Sequence, residues 1–197
     1  GAITVSFVAN GSTAVGWLAG ITCQTALQFR SAQNGLFTDA NTWESKLPAS
    51  AIYSPATRRP SKGDDSIFIR HAIALSANTT LPLDQTVIEP AGTLTIPATS
   101  NLSLFTDNPG YELVVDGTLT VNENIFGSPS SSVNGKLAVA GTLNLAGQII
   151  IDSVVAIPSA APAVINASGA AKISKLQINN LLGVNLNGNL DIINALD

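Results

Sequence analysis

A four-residue phrase that returns at a regular step constrains this chain more than any other feature. It reads Gly92-Thr93-Leu94-Thr95, then Gly117-Thr118-Leu119-Thr120, then Gly141-Thr142-Leu143-Asn144, with a looser copy at Gly188. The steps between these glycines are 25, 24 and 47 residues, so the last is close to twice the first two. Repeats of this length without helical spacing are typical of strand coils that bury their inward face by stacking on the next coil. The phrase therefore predicts an all-β fold, a parallel β-helix (β-solenoid).

A β-sandwich is the alternative fold, because it also has many short strands divided by turns. It does not require one tetrapeptide to return at a constant step, so the repeat favours the solenoid. The rhythm also divides the chain in two. Residues 63–197 are predicted as the β-helix repeats, with single strands expected at 66–75 and 148–155. Residues 1–62 are predicted as an N-terminal strand extension followed by a loop-rich cap, irregular over residues 28–62.

The composition limits which binding partners and which cellular location are expected for this protein. Charged residues make up only 11% of the chain, and the net charge of -4 lies in the second half, so nucleic acid is not an expected partner. No segment reaches the roughly 18 consecutive apolar residues of a membrane span. The sequence has no methionine, and it opens on the small residues Gly1-Ala2, as expected after a signal-peptide cut. These features predict a secreted protein, extracellular or at a cell surface.

Residues 41–121 resemble the G8 domain and related parallel β-helix segments of bacterial surface proteins. The matching residues are the Asn41-Thr42-Trp43 entry, the approach at 60–65, the Ile67-Phe68-Ile69 strand with His71, and the turns at 91–94 and 116–119. The resemblance implies a β-helix, an extracellular location and carbohydrate binding. It supplies no catalytic residues.

The acidic residues do not recur on one face as a polysaccharide-cleaving site would require. Asp116 stands at a corner beside Gly117, and the equivalent place one coil later is Ala140. The sole histidine, His71, has no second His or Cys with which to share a metal. We therefore predict a protein that is not an enzyme and that uses no cofactor or metal.

Two candidate binding sites remain, one at the start of the ladder and one in the segment before it. Asp64 and Asp65 belong to the densest charge group of the chain, which predicts an ion-pair network at the start of the ladder; a sugar or calcium site is the alternative. Trp43 is interpreted as a core plug or, alternatively, as a stacking platform for a sugar. Trp43, Asp64 and Asp65 are thus the candidate ligand contacts. Four Asn-X-Ser/Thr sequences predict glycosylation, at Asn10, Asn78, Asn101 and Asn166.

Stacked coils expose unpaired backbone at their ends, so each end needs a cap or a partner. Residues 184–197 still follow the ladder rhythm where the sequence stops, and the first strand has a clean apolar alternation. We therefore predict a structural subunit of an extracellular filament or surface appendage, a homopolymer built head to tail by N-terminal strand donation or coil stacking. The alternative is a surface adhesin or carbohydrate-binding module of a larger secreted protein, with surface carbohydrate as its partner. The predicted subunit interface consists of Ile3, Val5, Phe7, Leu190, Ile192 and Ile193.

Overall fold

The computed structural model describes residues 25–104, 111–127, 136–146, 148–150, 153–169 and 171–196. In this part of the chain, short parallel strands stack into a β-solenoid of about five turns, which confirms the predicted fold class. The helical segment that the described residues contain is one 3-10 turn, Ala40–Thr42. None of them forms a helix long and apolar enough to cross a membrane.

Each coil has three sides, and the strands on the same side of successive coils pair in parallel. Strands are numbered β1 to β21 in chain order. The first side contains β1 (Gln28–Ser31), β5 (Ser66–Ile69), β8 (Thr86–Ile88), β11 (Leu113–Val115), β14 (Lys136–Val139) and β17 (Ser153–Ala156). The second side contains β2 (Gly35–Leu36), β6 (Ala72–Ala74), β9 (Thr93–Ile96), β12 (Thr118–Val121), β15 (Thr142–Leu145), β18 (Ala163–Ala167) and β20 (Val184–Asn187).

The third side meets the first through one long strand. It contains β7 (Thr80–Leu83), β10 (Asn101–Leu104), β13 (Asn124–Gly127), β16 (Gln148–Ile150) and β21 (Asp191–Leu196). Strand β19 (Lys172–Ile178) turns the corner, because its start pairs with β16 and its end pairs with β17. Two further strands extend this sheet beyond β1: β3 (Trp43–Lys46) pairs antiparallel with β1, and β4 (Ser54–Pro55) pairs antiparallel with β3.

Strict register places chemically similar residues above one another. On the second side, one inward column passes through the central residue of each strand, and every member from β6 to β18 is at most 1% exposed. Burying one such aliphatic side chain contributes roughly 1.5–3 kcal/mol, so every member of the column stabilises the stack of coils. The members of this column are Ile73, Leu94, Leu119, Leu143 and Ile165.

Gly92, Gly117 and Gly141 of the repeated phrase occupy the corner before β9, β12 and β15 of the second side, whereas Gly188 of the looser copy lies at a different corner, between β20 and β21. A Cβ atom at Gly117 would lie less than 3.0 Å from the carbonyl oxygens of Glu89 and Gly92. The same crowding exists at Gly141, against the carbonyls of Asp116 and Gly117. The coils are joined here by Thr118 N–H donating to Gly92 O at 3.1 Å. Glycine is therefore required by close backbone approach at this corner.

The structure differs from the sequence prediction at the start of the ladder. Strand β1 pairs in parallel with β5 and β2 pairs with β6, so the expectation of an irregular stretch over residues 28–62 is wrong. Only β3, β4 and their connections form the loop-rich attachment. The division at residue 63 into two domains stays a prediction.

Strand boundaries at corners also differ. The expected single strand 66–75 is two strands, β5 and β6, separated by Arg70 and His71. The expected strand 148–155 is likewise β16 and β17. Corner residues that are compatible with a strand do not interrupt an alternation pattern, so the sequence does not reveal these turns. Strand β7 was not predicted because it contains Pro82, which is accommodated at the end of the described sheet, where β7 pairs with β10.

Candidate functional site

The N-terminal end of the solenoid is closed by an aromatic plug. Trp43, the first residue of β3, is 1% exposed, and its ring packs edge-on against Phe37 with centroids 4.9 Å apart. Its Nε1–H donates to the carbonyl oxygen of Phe37 at 3.0 Å, which satisfies the indole's polar group inside the core. The interpretation of Trp43 as a sugar-stacking platform is therefore wrong, since neither face of the ring is available to a ligand. Trp43 is the core plug.

Asp64 joins the segment that follows β4 to the residue that precedes β1. The carboxylate is 6% exposed and accepts hydrogen bonds from Leu27 N at 3.1 Å, from Ser61 N at 2.8 Å and from Arg58 Nη1 at 2.7 Å. Burial alone would raise the pKa of Asp64, but the hydrogen bonds from Arg58, Leu27 and Ser61 outweigh it and hold the pKa below its ordinary value. Asp64 is thus a structural anion whose oxygens are occupied by internal donors.

The Asp65 carboxylate contacts residues on the first side of the solenoid. It accepts from Gln28 Nε2 at 2.7 Å and from Ser66 Oγ at 3.2 Å. Within the described ranges, no group of three or more His, Cys, Asp or Glu side chains could hold a metal ion. His71 lies at the corner between β5 and β6, and its Nδ1 is 3.0 Å from Ser31 Oγ. In this group the structure shows an ion pair for Asp64 with Arg58, while Asp65 and His71 have neutral hydrogen-bond partners.

Among the described residues, the last coil of the solenoid exposes apolar side chains. Leu186 of β20 continues the inward column of the second side, yet it is 49% exposed, whereas Ile165 below it is 1% exposed. Leu190 and Ile192 continue the inner surface of the third side and are partly buried against the core. In the described part of the chain, β20 pairs only with β18 and β21 only with β19. The last coil therefore presents uncovered apolar side chains and unpaired strand edges.

The predicted interface residues fall into three groups. Leu190 and Ile192 lie in the end face, where they line its inner surface. Ile193 is 56% exposed and lies at a register shift between β19 and β21, so its side chain does not belong to the inner column. Ile3, Val5 and Phe7, like the glycosylation candidate Asn10, lie outside the described residues.

The remaining glycosylation candidates differ in environment. Asn78 is exposed on a turn with φ of 57°, a left-handed conformation that Asn tolerates. Asn101 lies in β10, which is paired on both edges, and its Oδ1 is buried without a hydrogen-bond partner. Asn166 lies in β18, which is also paired on both edges. Of these three positions, Asn78 has the geometry of an accessible acceptor.

A polar ladder on the outer face of the second side was missed by the sequence interpretation. Asn187 Nδ2 donates to Asn166 Oδ1 at 2.8 Å, Asn166 Nδ2 donates to Asn144 Oδ1 at 2.8 Å, and Asn144 Nδ2 donates to Thr120 Oγ1 at 3.2 Å. The signal was the fourth letter of the repeated phrase, which changes from Thr to Asn. Stacked Asn side chains in register stabilise parallel strands in this way.

Comparisons with known proteins supply no relative: no family model, no curated protein and no solved structure matches this chain. The resemblance to the G8 domain therefore stays a prediction. The features of the molecule that bear on function are the two ends and the outer faces of the solenoid.

Proposed function

We propose that this protein is a non-catalytic structural subunit of an extracellular filament or surface appendage, in which copies join through the open C-terminal end. The observation that carries the proposal is the difference between the two ends. One end is plugged by Trp43 and covered by β3, and the other exposes the inner column at Leu186.

The open end has the chemistry of a strand-accepting surface. Covering the exposed half of Leu186 would contribute about 1 kcal/mol, and Val184, Leu190 and Ile192 extend the same apolar surface. The free edges of β20 and β21 would also gain backbone hydrogen bonds from an added strand. A solenoid coil of the same cross-section, or a strand with one apolar face, satisfies both requirements.

The plugged end favours strand donation over direct coil stacking. Strand β3 already pairs with β1 along the edge to which a neighbour's last coil would add on the first side. We therefore assign the donated strand to residues 2–8 of a neighbouring copy, where Ile3, Val5 and Phe7 alternate with polar residues. Their apolar face would cover Leu186 and Ile192, and repetition would give an open head-to-tail polymer.

The test is the assembly state of the full chain, measured by light scattering and electron microscopy. We expect polymers from the full chain and monomers from a Leu186→Asp variant, because a charge would be placed in the buried joint. Tyr111→Asp is the matched control: Tyr111 is 38% exposed beside β11, in the middle of the ladder and away from both ends, so polymers should persist. Circular dichroism checks that both variants fold.

Deleting residues 1–9 separates the two modes of assembly. Loss of polymers in the deletion supports strand donation. Polymers that survive the deletion but not Leu186→Asp would instead support stacking between coil ends. A full chain that stays monomeric at high concentration would refute the proposal.

The alternative, a surface adhesin or carbohydrate-binding module, loses two of its three predicted ligand contacts. Trp43 has no free ring face, and the oxygens of Asp64 are bonded internally. A ligand would have to bind elsewhere on the solenoid.

A further inference from the structure

A small open cavity lies on the outer face of the first side, near the plugged end. Its volume is about 170 Å³, and it is lined by Arg30, Tyr53, Phe68, Arg70 and Glu89. Arg30 and Phe68 are register partners in β1 and β5, so parallel pairing sets their spacing. Tyr53 comes from the loop between β3 and β4. The cavity therefore exists only because the antiparallel attachment folds over the first coil.

One wall of the cavity is fixed by contacts of Arg30. Its Nε donates to Glu44 Oε2 at 2.8 Å, and its guanidinium carbon lies 4.1 Å from the centroid of the Tyr53 ring. Lys46 Nζ lies 5.2 Å from the same centroid. Cation–π contacts of this kind hold an aromatic ring in place. Burial raises the pKa of Tyr53, and this outweighs the opposing effect of Arg30, so the hydroxyl stays protonated and can donate a hydrogen bond.

The opposite wall is adaptable. Arg70 Nε lies 3.2 Å from Glu89 Oε2, and the two side chains are 45% and 39% exposed. An exposed ion pair of this type contributes little to stability, so it can open without a large cost. A guanidinium also offers several donors in a planar fork that matches a carboxylate. Arg70 can therefore bind a ligand's carboxylate while Glu89 accepts from hydroxyl groups.

The local charge supports an anionic ligand. Arg30, Lys46 and Arg70 bring three positive charges to the cluster, against the carboxylates of Glu44 and Glu89. The result is a cationic spot on a chain of net charge -4. The cavity is smaller than the roughly 300–1,000 Å³ usual for a drug-sized ligand, so it suits a single ring.

We propose that this cavity binds the ring of a sugar acid, a hexuronate, either free or as a residue of an acidic polysaccharide. The carboxylate pairs with Arg70, the ring's hydroxyls donate to Glu89 and accept from Tyr53, and the apolar face of the ring packs on Phe68. A neutral sugar has no carboxylate for Arg70 to bind. An aromatic acid would leave Glu89 facing an apolar edge.

The experiment titrates the full chain with glucuronate, glucose and benzoate, followed by isothermal calorimetry or NMR. We expect glucuronate to bind more tightly than both other probes, with an affinity that falls as salt is added. Arg70→Gln should weaken glucuronate binding by about tenfold or more, the usual effect of losing a charge-assisted hydrogen bond. Arg59→Gln removes the same charge from an exposed position outside the cavity and should leave binding unchanged.

Tyr53→Ala tests the other wall and should also weaken binding. Glucose binding as tightly as glucuronate would overturn the anionic assignment, and tighter binding of benzoate would overturn the sugar assignment. No binding of glucuronate, or equal binding by Arg70→Gln and the original protein, would overturn the site itself. Oligosaccharides of uronic acids distinguish a polymer from a free sugar acid by their higher affinity. None of these results depends on assembly through the C-terminal end.

Discussion

Replacing one corner glycine by alanine tests the close coil stacking on which the whole fold depends. At Gly117, an added Cβ would lie less than 3.0 Å from two carbonyl oxygens of the preceding coil, in a region where backbone hydrogen bonds fix both coils. The neighbouring atoms are backbone, so no flexible side chain can move aside. Overpacking in such a place costs about 1–3 kcal/mol, and the rigid surroundings place Gly117→Ala near 3 kcal/mol.

Gly63→Ala is the matched control. An added Cβ at Gly63 meets nothing within 4 Å, and the backbone there is not in the left-handed region. Alanine at a compatible position stabilises by about 0.4–1 kcal/mol, through the unfolded chain. The two variants should therefore differ by about 3–4 kcal/mol despite identical chemistry.

The assay is thermal and urea denaturation followed by circular dichroism. For a chain of this size, about 3 kcal/mol lowers the midpoint temperature by roughly 6–12 °C. Amide hydrogen exchange adds a local readout, since stacked coils can open near the substitution before the rest unfolds. Equal midpoints for Gly117→Ala and Gly63→Ala would refute the argument that backbone crowding, rather than chance, maintains the glycine of the repeat.

Three further changes test the closed end and the polar ladder. Trp43→Ala should lower the free energy of unfolding by about 3–5 kcal/mol in urea titrations, because it empties the plug beside Phe37; a loss below 1 kcal/mol would contradict the plug. Because the pKa of Asp64 is lowered on folding, its contribution is complete above the ordinary carboxyl pKa of about 4 and is lost as pH falls through the lower folded value. Asp64→Asn should remove this part of the pH dependence of stability, and an unchanged acid profile would show that Asp64 is not the group responsible. Asn166→Ala breaks two ladder hydrogen bonds, so the urea midpoint should fall by the equivalent of about 1–2 kcal/mol, and no change would mean that the ladder is replaced by water.

The repeated phrase predicted most of the ladder because period-2 alternation and a fixed step are local properties. The strands at Thr93–Ile96, Thr118–Val121 and Thr142–Leu145 follow directly from it. The corners within 66–75 and 148–155 did not, since their residues are also strand-compatible. The start of the ladder was missed because β1 carries no copy of the phrase and is stabilised by pairing with strands distant in sequence.

The candidate site residues were harder to predict than the fold. The ion pair of Asp64 with Arg58 follows from a dense group of opposite charges close together in sequence, whereas Asp65 accepts hydrogen bonds from Gln28 and Ser66. The sequence favoured Trp43 as a plug but left the sugar platform open, because a tryptophan in a loop-rich segment is compatible with both. The cavity around Tyr53 combines residues from β1, β5 and the β3–β4 loop, and nothing in their sequence spacing brings them together.

The sequence alone thus determined the coil: its length, its inward columns and the glycine at its tightest corner. These follow from alternation and from the backbone crowding at Gly92, Gly117 and Gly141. Tertiary structure decided how the coils begin and end and what their outer faces carry. Antiparallel pairing of β3 with β1 closes one end over Trp43, while the last coil leaves Leu186 uncovered. These contacts join residues far apart in the chain, and only the folded register brings them within reach.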